Sequence, residues 1–285
     1  MTVKEALCVL PQYILPQHSL SVLLSKLTHS ENPAVKKLFI EQIIKHYGVD
    51  MSEALQQDLS QFTSFNDFFT RELKPGARRW PDALGAVACP ADGAVSQAGA
   101  ITDGTIFQAK GKSFTATALL GGCSERAAPF QNGQFTTIYL APKDYHRLHM
   151  PITGTLKEMV HVPGRLFSVN TVTTANVPGL FARNERVCCL FDTAVGPMAL
   201  VLVGAIFVSS IETVWHGVVT PPTIRSVRQW SYGSDAPTLT IGAEMGRFNM
   251  GSTIIVLFGK DAVQWQDGFS AGKTVRLGEQ IGRLL

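Results

Sequence analysis

Ser252 follows a glycine and leads into the run Thr253-Ile254-Ile255-Val256-Leu257-Phe258. Its hydroxyl lies within short reach of the Gly251 carbonyl, and attack there would turn the amide into an ester and poise the chain to break. A Gly-Ser pair at the mouth of a strand is ordinarily a turn and nothing more. Two upstream stretches supply what chemistry would need: Asp92 in Pro90-Ala91-Asp92-Gly93, and two histidines in Asp144-Tyr145-His146-Arg147-Leu148-His149-Met150-Pro151. A histidine oriented by a carboxylate and bonded to a hydroxyl makes serine nucleophilic near neutral pH. In chain order the set reads Asp92, His149, Ser252, with His146 as a further acid or base. It could serve a serine hydrolase acting on an external ester or amide, or a chain that attacks itself. Ser252 lacks the G-x-S-x-G elbow of the α/β-hydrolases, which disfavours the first. The histidines share a face if they lie on a helical turn, but no HExxH pattern accompanies them, so no metal is expected. The loop His161 to Asn170 offers hydroxyl and amide donors, with Ser168 the candidate substrate contact.

The elements that must hold these groups fall into two regions. Residues 1–73 read as amphipathic helices. Leu20, Leu23, Leu24 and Leu27 recur at helical spacing. Asn32-Pro33 caps a helix whose face carries Val35, Leu38, Phe39, Ile43 and Tyr47, and Asp50 with Glu53 suggests a capping box for a third helix bearing Leu55 and Leu59. Packing on their own core is the commoner fate of such helices. These are terminal, leucine-rich and lysine-decorated, and burying four leucines yields about 6–12 kcal/mol gross, so docking on a membrane surface is equally open. From about residue 80, short β-type runs punctuated by Gly and Pro take over. Val87 to Val95 reads as strand, turn, strand, and Gly268, Gly272, Gly278 and Gly282 punctuate the tail. The expectation is an α+β protein: helices over 1–73, then a mainly β, barrel-like catalytic region over 74–285. The turns also resemble those of biotinyl and lipoyl carriers, but Lys273 lacks the flanking methionines of a modified hairpin.

The totals set limits. With 45% hydrophobic and 16% charged residues and a net charge of +3 over 285 residues, neither disorder nor nucleic-acid binding is suggested. Arg71, Lys74, Arg78 and Arg79 gather locally and read as a solvated loop in preference to an anionic-surface contact. Five cysteines without metal-type spacing suit a reduced, intracellular protein. Pro11 and Pro16 interrupt the first apolar stretch, which argues against a signal peptide. Met198 to Val208 is too short to span a bilayer and reads as a strand, so a protein that does not cross the membrane is expected.

Several stretches together resemble the bacterial, membrane-associated phosphatidylserine decarboxylases. They are Phe65-Asn66-Asp67-Phe68-Phe69-Thr70-Arg71-Glu72-Leu73, Pro90 to Gly93, Asp144 to Pro151, Phe181 to Val187, Ser210 to Trp215, and Gly246-Arg247-Phe248-Asn249-Met250-Gly251-Ser252-Thr253. The family usually reads Leu-Gly-Ser-Thr at its cleavage site, and Met250 is an apolar replacement of similar volume. At Arg165, close relatives would be expected to carry an acidic residue. The resemblance implies a proenzyme that cleaves itself between Gly251 and Ser252. Asp92 and His149 would act as a charge relay for Ser252, which becomes a pyruvoyl cofactor heading an α chain of residues 252–285. Through a Schiff base, phosphatidylserine would lose CO2 to give phosphatidylethanolamine, with His146 protonating the carbanion. The implied partners are phosphatidylserine, an anionic lipid surface and the protein's own two chains, with room for a homodimer and no nucleic acid. The implied location is the cytoplasmic face of the inner membrane, held peripherally.

Overall fold

The computed structural model describes residues 1–206, 210–220, 226–251 and 253–285. Helix α1 (Val3–Val9) starts on a capping box in which Thr2 and Glu5 satisfy each other's backbone N–H groups. α2 (Pro11–Ile14) begins on a proline, and α3 (Gln17–Thr28) follows after a bend of 89°. α4 (Pro33–Tyr47) is capped by Asn32, whose Oδ1 accepts from Ala34 and Val35, and it stops at the left-handed Gly48. No single helix among the described residues is long and apolar enough to cross a membrane.

Two helical expectations need correction. Asp50 does not open a helix: its Oδ1 accepts the Ser52 N–H at 2.8 Å, two residues on, and folds the chain into a turn. The next helix is α5 (Phe65–Phe69), capped by Ser64. The buried face of α4 is also rotated from the expected stripe. Phe39, Ile40, Ile43 and Ile44 pack with Phe65, Phe68 and Phe69, while Leu38 and Tyr47 stay exposed. The Lys36 ammonium donates to the Ser60 and Phe62 carbonyls and draws that side of the helix inward.

Strand Thr253–Phe258 lies in the middle of a nine-stranded sheet. It runs antiparallel between Gly196–Val203 and Gln134–Tyr139, with every residue buried. Cover on both faces explains why it reads as an unbroken apolar run rather than an alternation. Gly93–Ala100 and Thr274–Val275 extend the sheet on one side. Arg186–Thr193, Gly154–Val162 and Arg228–Ser231 extend it on the other, with Thr238–Leu239 also on Gly154–Val162. The core is sheet-rich as expected, but the two ends of this sheet do not meet, and no closed barrel forms among the described residues. A second sheet contains Gly217–Thr220, Ser210–Thr213, Glu244–Asn249 and Arg147–His149, in that order. Residues 250–252 carry the chain from Glu244–Asn249 in this sheet to Thr253–Phe258 in the large one.

The start and the tail interleave. Ala86–Ala88 pairs with Gln280–Leu284, whereas Gly93–Ala100 pairs with Thr274–Val275 and Gln134–Tyr139. The Pro-x-Asp-Gly segment is thus a crossing between sheets and not the hairpin that its turn residues suggested. Gly93 is required there, because a Cβ on it would fall 2.3 Å from the Tyr139 carbonyl oxygen.

Candidate active site

The histidines do not share a helical face. His146 immediately precedes the strand Arg147–His149, and along extended backbone residues three apart face opposite ways. His146 is buried, its ring centroid 4.0 Å from that of Phe69 and tilted by 42° to it. Its Nδ1–H donates to the Asp144 carbonyl at 2.8 Å, which leaves Nε2 as the nitrogen with the free lone pair. That Nε2 has no hydrogen-bond partner among the described residues, and a Cβ placed on Gly251 would lie 3.0 Å from it. A side chain at 251 would press on the His146 ring, which would have to give way by a few tenths of an ångström. Burial lowers the His146 pKa to about 3, outweighing the Asp144 carbonyl bond that acts to raise it, so the ring is neutral near pH 7.

The backbone beside it is strained. Met250 takes a φ of +82°, a region that non-glycine residues rarely occupy, at a cost of roughly 1–3 kcal/mol. The flanks hold it there. Asn249 is gripped by Asn66, Ser210 and Glu212, and the Met250 side chain packs on the α4–α5 aromatic cluster. Ser252 lies outside the described residues; its neighbour Gly251 lies beside His146.

His149 faces a cleft of about 290 Å³ that Arg78, Trp80, Tyr145, Arg147 and Glu244 also line. Its Nδ1–H donates to the Gly242 carbonyl at 2.8 Å, and the Tyr145 hydroxyl stands 3.3 Å from Nε2. Burial again pushes its pKa down. Asp92 is not its hydrogen-bond partner. The Asp92 carboxylate accepts from Arg78 Nε and Nη2 and from the Leu277 N–H, which ties the Pro-x-Asp-Gly crossing to the tail. The described residues thus bring His146 to Gly251, and hold Asp92 and His149 on other partners.

Ser168 sits in a loop pinned from both sides. Its N–H donates to Gln12 Oε1 at 2.8 Å, while Asn184 accepts from the Phe167 N–H and donates to the Phe167 and Gly204 carbonyls. Gly204 follows Val203, the register partner of Thr253, so the loop lies beside the mouth of the central strand. Gln17 Oε1 accepts from the Leu166 N–H, and Arg165, half-buried, donates to the Gln12 and Tyr13 carbonyls.

The basic run departs in part from a solvated loop. Lys74 and Arg79 are exposed as expected of a solvated loop, but Arg71 is buried and Arg78 bridges Asp92 and Glu53. The apolar company of Arg71 in Phe68-Phe69-Thr70-Arg71 was the available signal.

A model of the family described as phosphatidylserine decarboxylase matches residues 65–283, and a second, described as PSD, matches residues 7–48. The chain belongs to the phosphatidylserine decarboxylase family. It is 58% identical over 281 residues to the phosphatidylserine decarboxylase proenzyme of Ectopseudomonas mendocina, covering 98% of each chain. To the proenzyme of Bordetella pertussis it is 58% identical over 284 residues, covering 99% of this chain and 95% of the other. The Marinobacter nauticus proenzyme is 56% identical over 282 residues, 98% of each. The expectation of a decarboxylase of this family is met over nearly the whole chain.

Proposed function

We propose that the protein cleaves itself between Gly251 and Ser252 and then converts phosphatidylserine to phosphatidylethanolamine and CO2. The observation that carries this reading is the neutral, buried His146 Nε2 beside Gly251, next to the strained Met250. In maturation the Ser252 oxygen attacks the Gly251 carbonyl carbon and the Gly251–Ser252 amide becomes an ester. A base takes the Ser252 Cα proton, and the Cβ–O bond breaks. Gly251 leaves as a carboxylate, residue 252 becomes a dehydroalanine, and water then releases ammonia. A pyruvoyl group at residue 252 supplies an electron sink for the carbanion left by loss of CO2. His146 is the proposed donor of a proton to that carbanion; its Nε2, which carries a lone pair beside Gly251, would first have to take up that proton, and its neutral ring is free to do so as charge develops.

The Asp92–His149 pair is assigned to the Ser252 proton from the family resemblance. To act so, His149 would have to turn its Nε2 from Tyr145, and Asp92 to reach it from Arg78. The position of His146 supports a second reading, in which His146 serves both steps. Ser168 is the proposed substrate contact, on the loop beside Gly204.

The division of labour over 1–73 and 74–285 is likewise proposed, with α1–α3 resting on an anionic lipid surface at the cytoplasmic face of the inner membrane. Their polarity is inverted, which supports this: α3 turns Gln17, Ser21 and Thr28 inward and leaves Val22, Leu23 and Leu27 exposed. On α1 and α2, Val3, Leu7, Leu10 and Ile14 are exposed around an apolar hollow. A homodimer remains part of the proposal and rests on the resemblance alone.

Intact mass and a denaturing gel test the core of it. Wild type should give chains ending at Gly251 and beginning at residue 252, while Ser252→Ala should stay whole at 30.9 kDa and release no CO2. Splitting of Ser252→Ala would refute the nucleophile. Within the site, His149→Ala and Asp92→Asn should accumulate precursor, and His146→Ala should process yet turn over slowly. Precursor from His146→Ala with full processing of His149→Ala would favour the second reading.

A further inference from the structure

Arg71 is 5% exposed, and no carboxylate forms an ion pair with it among the described residues. Its Nη2 donates to the Lys143 carbonyl at 3.1 Å and its guanidinium lies over the Phe68 ring, 5.5 Å from the centroid. Nε and Nη1 have no partner among the described residues. The nearby acids are engaged elsewhere: Asp92 with Arg78 and Leu277, and Asp144 with the Ala141 N–H. Burial pushes the guanidinium below its ordinary range. Holding an unpaired charge out of water is costly, and a cation so placed is matched to an anion.

The same aromatic group borders the cleavage site. Phe68 carries Arg71, Phe69 carries His146, and Met250 packs against both rings' cluster while His146 Nε2 meets Gly251. Cleavage there creates one new anion, the carboxylate of Gly251. One of its oxygens is the original carbonyl oxygen and the other comes from Ser252.

We infer that Arg71 is the receptor for the Gly251 carboxylate: it waits unpaired in the precursor, and pairs with the new C-terminus once the chain is cut. This rests on the cleavage reading above. The pair would hold the severed end away from residue 252, leaving that side open to substrate, and would oppose religation by keeping the carboxylate ionised.

The test compares Arg71→Met and Arg71→Lys in two backgrounds, the self-processing chain and the uncleavable Ser252→Ala precursor, by thermal unfolding and intact mass. Arg71→Met should lower the Tm of the processed protein by roughly 5–10 °C. In the precursor it should leave Tm unchanged or raise it, since it removes a buried charge that has no anionic partner among the described residues. Arg71→Lys should restore most of the processed Tm. Equal losses in both backgrounds, or a precursor that no longer folds, would overturn the inference and leave a structural arginine. Failure of both variants to self-cleave would also overturn it, because Arg71 would then act before the carboxylate exists. An unchanged Tm difference with a raised KM for phosphatidylserine would assign Arg71 to a substrate anion instead. A wild-type chain that yields no fragment ending at Gly251 would sink the cleavage reading itself, an outcome the mass reports separately.

Discussion

At the scale of single residues, the site is built from groups whose ordinary partners are withheld. Among the described residues His146 keeps a bare Nε2 and Arg71 two idle donors, while Met250 keeps a left-handed backbone. Sequence patterning exposed the reactive types because Ser, His and Asp near glycines are chemically conspicuous. It could not separate His146 from His149, since that depends on whether the segment is helix or strand. Their difference has a pH signature. The His146 pKa falls from 6.5 in the unfolded chain to about 3 when folded. Between those values the unfolded chain binds more protons, so this residue's contribution is complete above about pH 6.5 and is lost as the pH falls towards 3. The limiting slope is about 1.4 kcal/mol per pH unit. In the Ser252→Ala background, His146→Asn should therefore lose less stability between pH 6.5 and 4.5 than its parent. His149 is shifted the same way, so the decline should shrink and not vanish. Parallel Tm curves for the two proteins would show that His146 does not titrate across that window.

At the scale of elements, the helices α3 and α4 were legible from caps and spacing, but the direction each face points was not. A periodic apolar stripe says that a face exists; whether it meets a core or a lipid depends on what packs behind it. On α3 the inward face is polar because Gln17 reaches the backbone of Leu166, and with Gln12 it bolts the helices to the Ser168 loop. The outward residues of α1 and α2 missed by the leucine count, Leu7 and Ile14, are 71% and 87% exposed, so they belong to the same outer surface as Leu23. A double substitution, Leu7→Asp with Ile14→Asp, should reduce co-sedimentation with vesicles containing anionic lipid at least about tenfold, because a charge placed in the apolar interface costs several kcal/mol. Neither side chain contributes to the core, so self-cleavage should continue. Unchanged sedimentation would remove these helices from the membrane.

At the scale of the whole molecule, the position of the proposed cut decides what would become of the pieces. Residues 252–285 are few, yet they supply the central strand Thr253–Phe258, the sheet-edge strand Thr274–Val275, and two of the three strands in the small sheet. Ile254, Ile255, Val256, Leu257 and Phe258 are each 0–1% exposed. At ~1.5–3 kcal/mol apiece, their burial contributes about 7–15 kcal/mol gross. The backbone is held on both edges, by Gly196–Val203 and Gln134–Tyr139, so the short chain cannot leave without opening the sheet at its middle. The sequence revealed this strand as an apolar run, but its central place depends on long-range pairing that no local pattern encodes. The processed protein should therefore remain one particle. Native mass measurement should find the two chains together after extensive dilution, and urea should separate them in the same transition that unfolds the sheet, with Trp265 of the short chain reporting the same midpoint as far-ultraviolet circular dichroism. Release of the short chain before that transition would mean that the central strand is held far more weakly than its burial implies.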